Sequence, residues 1–197
     1  MHLLNEKKRM KGFKTTPISA AQSEMRSAFL GGFAGQLVSG LIWLAASSVS
    51  VLSTPQHGMA FLFLGCMGIF PLTQLSLKMM GRKAKVNEDN GLWALGSQIA
   101  FMVPINFLLV GAIILYNPMW FFPATMIIVG THYLPFITLY GMKIFGILAA
   151  LLITGGTVLA LYGPSIFSLG GWLTGFLLIL FGFIGRSIVL REEKSVG

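Results

Sequence analysis

LWALGSQIAFMVPINFLLVGAIILY, residues 92–116, runs for 25 residues without a single charge. At about 1.5 Å per residue such a helix is longer than the ~30 Å hydrocarbon core of a bilayer. The stretch lacks the apolar–polar alternation of a barrel strand, and an open strand leaves its backbone polar groups unsatisfied in lipid. A membrane-spanning helix is the reading that remains. Five further stretches repeat the pattern, at residues 28–51, 58–77, 120–140, 144–162 and 166–190, the fifth span (144–162) being the shortest.

Composition agrees. The chain has 197 residues, of which 55% are hydrophobic and 10% charged, with a mean hydropathy of +0.79. A soluble domain carries roughly 25% charged residues, so lipid has to cover most of this surface. The expected fold is all-α: a polytopic six-helix transmembrane bundle at residues 28–190, with no room for a separate soluble domain. Residues 1–27 form a basic lead and 191–197 a short tail. In the lead, Pro17 suits a first helical position, and Ser19 with Gln22 has capping-box spacing. A short interfacial helix running into the first span follows. The long polar lead and the long apolar stretch behind it read as a span, not as a signal peptide.

Charge sets the orientation. All fourteen Lys and Arg residues fall in the lead, the second and fourth inter-span loops and the C-terminal end, and none in loops one, three and five. The positive-inside rule then places both termini in the cytoplasm, in the inner membrane of the cell. Trp93, Trp120 and Trp172, with Tyr116, Tyr140 and Tyr162, fall near span ends, where interfacial aromatics belong. The net charge of +8 belongs to these loops and not to one folded basic face, which argues against nucleic acid as a partner. Cys66, the only cysteine, reads as a small packing residue and excludes an internal disulfide.

Small residues recur at helical spacing: Gly31, Gly35 and Ser39 on the first span, Gly171 and Gly175 on the sixth. Such ridges let helix backbones approach closely, within one chain or, as a homo-oligomer, between chains. A faint repeat also runs through the sequence. Gln36 and Gln98, Pro55 and Pro118, Pro71 and Pro135, and Lys78 and Lys143 lie 62 to 65 residues apart. This pattern makes the first two spans resemble a parallel copy of the third and fourth.

Chemistry is sparse. All six carboxylates lie outside the apolar stretches, so no paired acids, no Ser-His-Asp arrangement and no membrane acid for ion coupling are at hand. His57 and His132 fall at different depths, which speaks against a shared metal or haem, and no cofactor is implied. His132 is the one ionisable group deep in a span, a functional candidate by default. Counted from the span ends, His132, Gln36 and Gln98 lie about 9–12 Å from the cytoplasmic edge and share one layer. Pro71, Pro104 and Pro135 are kink candidates, since each removes a backbone donor inside a helix. The layer reads either as a polar cavity open to the cytoplasm or as interhelical hydrogen-bonded glue.

Gly130-Thr131-His132-Tyr133-Leu134-Pro135-Phe136, followed by Leu139-Tyr140, resembles the signature of an uncharacterised family of small six-span prokaryotic membrane proteins. Gly68-Ile69-Phe70-Pro71-Leu72 and Asn90-Gly91-Leu92 resemble its second-span motif and the start of its third span, although Gly91 stands where that family has proline. The resemblance covers roughly residues 61–140. It implies a membrane fold, singles out His132 and carries no activity. Taken together, the sequence leads to a small-solute permease or binding protein. The alternative is a non-transporting structural or accessory component that packs against a partner through its glycine ridges. An intramembrane enzyme ranks third, for want of a nucleophile–base pair.

Overall fold

The computed structural model describes residues 17–82 and 84–196. Residues 1–16 of the basic lead (with His2, Lys7, Lys8, Arg9, Lys11 and Lys14), Lys83 and Gly197 lie outside the described residues. The described chain is helical throughout: α1 Ile18–Phe29, a 3-10 turn Leu30–Gly32, α2 Phe33–Leu52, α3 Pro55–Met79 and α4 Leu92–Tyr116. A second 3-10 turn Pro118–Trp120 leads into α5 Phe121–Tyr140, then α6 Ile144–Tyr162 and α7 Leu169–Val196. Six helices are long and apolar enough to cross a membrane when α1 and α2 are counted together.

Helix α1 differs from the rest. It is amphipathic, burying Ala21, Met25 and Phe29 on one face, and it lies across one end of the bundle. The Gln22 amide donates to the Thr138 carbonyl at 2.8 Å, and the Arg26 guanidinium donates to the Tyr140 carbonyl at 2.7 Å. Both bonds satisfy carbonyls that the C-terminus of α5 leaves without helical partners. The expected capping box is absent, because Pro17 sits at the N-cap with no side-chain cap and Gln22 is engaged with α5. Asn90, buried ahead of α4, donates to Glu24 at 2.8 Å and to the Ala21 carbonyl at 3.2 Å. Arg26 pairs with Glu192 at 3.0 Å, and Arg82 grips both oxygens of Glu193 at 2.7 and 2.8 Å. The start of α1, the 80–91 loop, the α5–α6 turn and the C-terminal turns of α7 therefore meet at one end, called here the basic end.

The chain turns from α1 into α2 through three residues in the left-handed region, Leu30 (φ 50°), Gly31 (φ 60°) and Gly32 (φ 81°). Two are glycines, for which this region costs little. A β-carbon on Gly31 would lie 2.9 Å from Val189 Cγ2, so close packing excludes a side chain there as well. From Phe33, α2 runs 20 residues, about 30 Å and one bilayer core.

The core is two tight assemblies. Helix α2 packs against α7 and α3, and α5 against α6. The glycine ridges work inside the chain: a β-carbon on Gly40 would meet Ile179 and the Gly175 carbonyl, and one on Gly171 would meet Ser47 and Phe122. Gly130 brings α5 onto α6 in the same way, a β-carbon there lying 2.8 Å from Ile153. Helices α3 and α4 are peripheral, with 11% and 22% of their spanning windows buried against 56% for the α5 span. Helix α3 packs on α2 but touches α4 little; those two meet through Phe63 and Phe107, whose rings lie 5.5 Å apart edge to face. Those residues are about 22–24 Å from the basic end by helical rise. Between that clasp and the basic end the two helices part.

A laterally open candidate site

The gap between α3 and α4 is the mouth of a cavity of about 530 Å³, within the ~300–1,000 Å³ of small-molecule sites. Met25 and Phe29 of α1 floor it at the basic end, and they are 2% and 9% exposed. Its exposed lining residues are Met67 and Phe70 on α3 and Trp93, Ser97, Ala100, Phe101 and Pro104 on α4, with Trp93 stacked on Phe29 at the basic end. The cavity opens through the side of the bundle past Met67, Phe70 and Phe101, with Met25 and Phe29 of α1 packed beneath it.

One face of α2 forms the back wall. Gly32, Gly35, Gln36, Ser39 and Trp43 line it, at the i, i+3, i+4 spacing that puts residues on one helical stripe. From α5 come His132, Tyr133, Phe136, Leu139 and Tyr140, all within the Gly130–Tyr140 motif. His132 sits among aromatic rings, 5.1 Å from Phe136 and 5.6 Å from Tyr133, with the Ile99 backbone beside it.

The polar groups of this wall are left without partners. Six buried side-chain polar atoms have none among the described residues. Five of them are Gln36 Nε2 and Oε1, Trp43 Nε1, Thr73 Oγ1 and His132 Nδ1, all on residues that line this one cavity. The sixth is Arg186 Nε, whose guanidinium lies 5.1 Å over the Phe33 ring. Buried polar atoms are normally satisfied, and each exception calls for an explanation. Five of the six gather around one concavity.

Of the three polar-layer candidates, the structure brings Gln36 and His132 to this cavity and leaves Gln98 out. Among the described residues no hydrogen bond joins Gln36 to His132, so the two are not glue for each other. Gln98 is exposed and shares its face of α4 with Met102 and Ile105, also exposed. Its depth is legible from sequence, but α4 is apolar on all sides, so nothing along it fixes which face turns inward. Thr73 and Gln74 of α3 stand in its place. No periodicity singles them out, though two polar residues in an apolar run are a visible signal. Helices α3, α4 and α5 run unbroken through Pro71, Pro104 and Pro135. Pro104 alone of the three lines the cavity, as does Ala100, whose carbonyl Pro104 cannot serve as a donor. The real interruption is at Leu30–Gly32, where the Gly31-Gly32 pair was the available sign.

Fold and site together define a multi-pass, all-α membrane protein with a ligand-sized cavity in one half of its thickness. Residues 18–187 match the model of a family of unknown function, DUF7010, and the chain belongs to that family. No curated protein and no solved structure matches it.

Proposed function

We propose that this protein is a small-solute permease or binding protein of the cytoplasmic membrane, with both termini cytoplasmic and its ligand in the cavity between α2, α3, α4 and α5. The observation that carries this reading is the set of five unpartnered polar atoms on the residues that line that cavity. An apolar enclosure with a few convergent polar groups is what small-molecule sites have in common. Orientation rests on the distribution of basic residues, with Arg26, Arg82, Lys143 and Arg191 at the basic end and the positive-inside rule placing that end inside. The accessory alternative is favoured less, since of its ridges Gly31, Ser39, Gly171 and Gly175 are buried within the chain and only Gly35 is half-buried.

The test is thermal stability of purified protein across a solute panel, from about pH 5 to 8 where imidazole ordinarily titrates. A bound solute raises the melting temperature by mass action. His132→Gln keeps a polar side chain and is expected to fold normally while losing the solute-dependent shift. Should no solute move either protein anywhere in that range, the proposal fails.

A further inference from the structure

The first helical turn of α2 is unusually placed. Gly32 and Gly35 line the cavity, and no side chain caps the N-terminus they belong to. The first N–H groups of a helix lack intrahelical partners, and the peptide dipoles leave about half a positive charge there. In α2 the Phe33 N–H is taken up by the Leu30 carbonyl, and the amides after it begin the helix proper. With no β-carbon at Gly35, a ligand can approach the backbone there closely, whereas Gly32 is packed against the Tyr140 and Phe145 rings.

A helix terminus alone would mean little. Here Gln36 closes the same first turn, is 2% exposed, lines the cavity and has neither amide atom partnered. Electrostatics point the same way. No Asp or Glu is among the residues lining the cavity, and Arg186 holds its charge over Phe33, the first residue of α2. The surface of the enclosure is mostly apolar, with Thr73, Gln74 and His132 as further polar groups, and it opens sideways past Met67, Phe70 and Phe101. That sideways opening faces the bilayer, so a ligand with an apolar chain can enter directly from lipid.

We infer that the ligand is an anionic single-chain amphiphile that enters from the bilayer. Its carboxylate or phosphate head sits at the N-terminus of α2 against Gln36, and its chain lies between α3 and α4. This rests on the cavity being a binding site and names what it binds. The head lies near the basic end, where membrane headgroups lie, because Gly32 abuts Tyr140 at the foot of α5. The chain runs from there toward Trp43 and the Phe63–Phe107 clasp.

The experiment uses the full chain in lipid nanodiscs at about pH 8, where a carboxylate is ionised. The chain has four tryptophans, and a Trp120→Phe, Trp172→Phe background leaves Trp43 and Trp93, both at the cavity, as reporters. Dibromostearate is the quencher, and competitors are compared at equal mole fraction in the bilayer. Saturable quenching is expected, relieved by stearate or stearyl phosphate and at least about tenfold less effectively by methyl stearate, the loss of one charge-assisted contact. Whichever of the two anionic competitors is stronger identifies the head as carboxylate or phosphate. Gln36→Met and Gln36→Glu should each weaken the anions by about tenfold or more and leave the ester unchanged. Equal competition by ester and acid would overturn the anionic site while leaving the cavity as a binding site. Competition by acetate or inorganic phosphate alone, as strong as stearate, would overturn the amphiphile in favour of an aqueous anion. If no amphiphile quenches saturably and no solute stabilises the protein, the underlying reading falls with it.

Discussion

Replacing Gln36 by methionine should stabilise the ligand-free protein. Gln36 is 2% exposed, and neither its donor nor its acceptor has a partner. A buried polar group left unsatisfied costs about 1–3 kcal/mol, and an apolar side chain of the same shape removes that cost. Methionine has nearly the same length and adapts to its surroundings, so little packing is lost. The expected gain is about 1–3 kcal/mol. In a chain of this size each kcal/mol moves the melting temperature by about 2–4 °C. The assay is thermal unfolding of delipidated protein in detergent micelles, followed by intrinsic fluorescence, wild type beside Gln36→Met and Gln36→Ala. The alanine variant separates amide from volume, because it also empties space and should melt below the methionine variant. Were Gln36→Met to melt clearly below wild type, the amide would be holding the fold together, and its place in a binding site would be refuted.

Four further outcomes can be checked. Gly31→Ala, at φ 60° with its β-carbon 2.9 Å from Val189, should cost about 2–5 kcal/mol from left-handed strain and overpacking; Gly35→Ala, 3.7 Å from Thr73, should change stability by less than about 1 kcal/mol, and equal effects in denaturant titrations would disprove the α1–α2 turn. Reporter fusions after Lys85, Lys143 and Gly197 should read cytoplasm and those after Pro55, Asn117 and Gly163 outside; one reversed internal site breaks the orientation. His132→Gln should leave the melting temperature within a few degrees of wild type but abolish any solute-dependent shift, as thermal scans with and without solute would show. The Arg82 guanidinium holds the Glu193 carboxyl, which lies beyond the apolar part of α7, below its usual range. Its folded value being depressed, this pair stabilises above the ordinary carboxylate value of about 4.3 and ceases to do so as pH falls through the lowered one. Glu193→Gln should therefore flatten the acid limb of a stability–pH curve, and an unchanged limb would show that the pair contributes nothing.

Much of the site was present in the sequence without being readable as a site. His132 stood out because an ionisable group in an apolar run is costly and rare. Gln36 stood out for a similar reason, and the Gly130–Tyr140 motif supplies five lining residues. The repeat landmarks fare unevenly. Pro55 and Pro118 both open helical segments and Pro71 and Pro135 both lie inside helices, yet Gln36 is buried and Gln98 exposed. Trp43 gave no polar signal, because an indole reads as apolar until its N–H is found without an acceptor. Thr73 was passed over because hydroxyls in membrane helices usually bond their own backbone, as Thr125 and Thr174 do here.

Hydropathy and charge are properties of position along the chain, so the sequence alone marked out the six apolar stretches and the loops that carry the basic residues. Rotation about a helix axis is not such a property when every face is apolar, and only the tertiary packing decided that Gln98 turns out while Thr73 and Gln74 turn in. Where the α1–α2 turn falls likewise depended on Val189, Met142 and Tyr140 closing around Gly31 and Gly32. A left-handed turn is held by contacts from distant segments, and a linear pattern does not contain them. The same holds for the cavity: only the packing of α1 beneath it and the separation of α3 from α4 made a site whose side lies open.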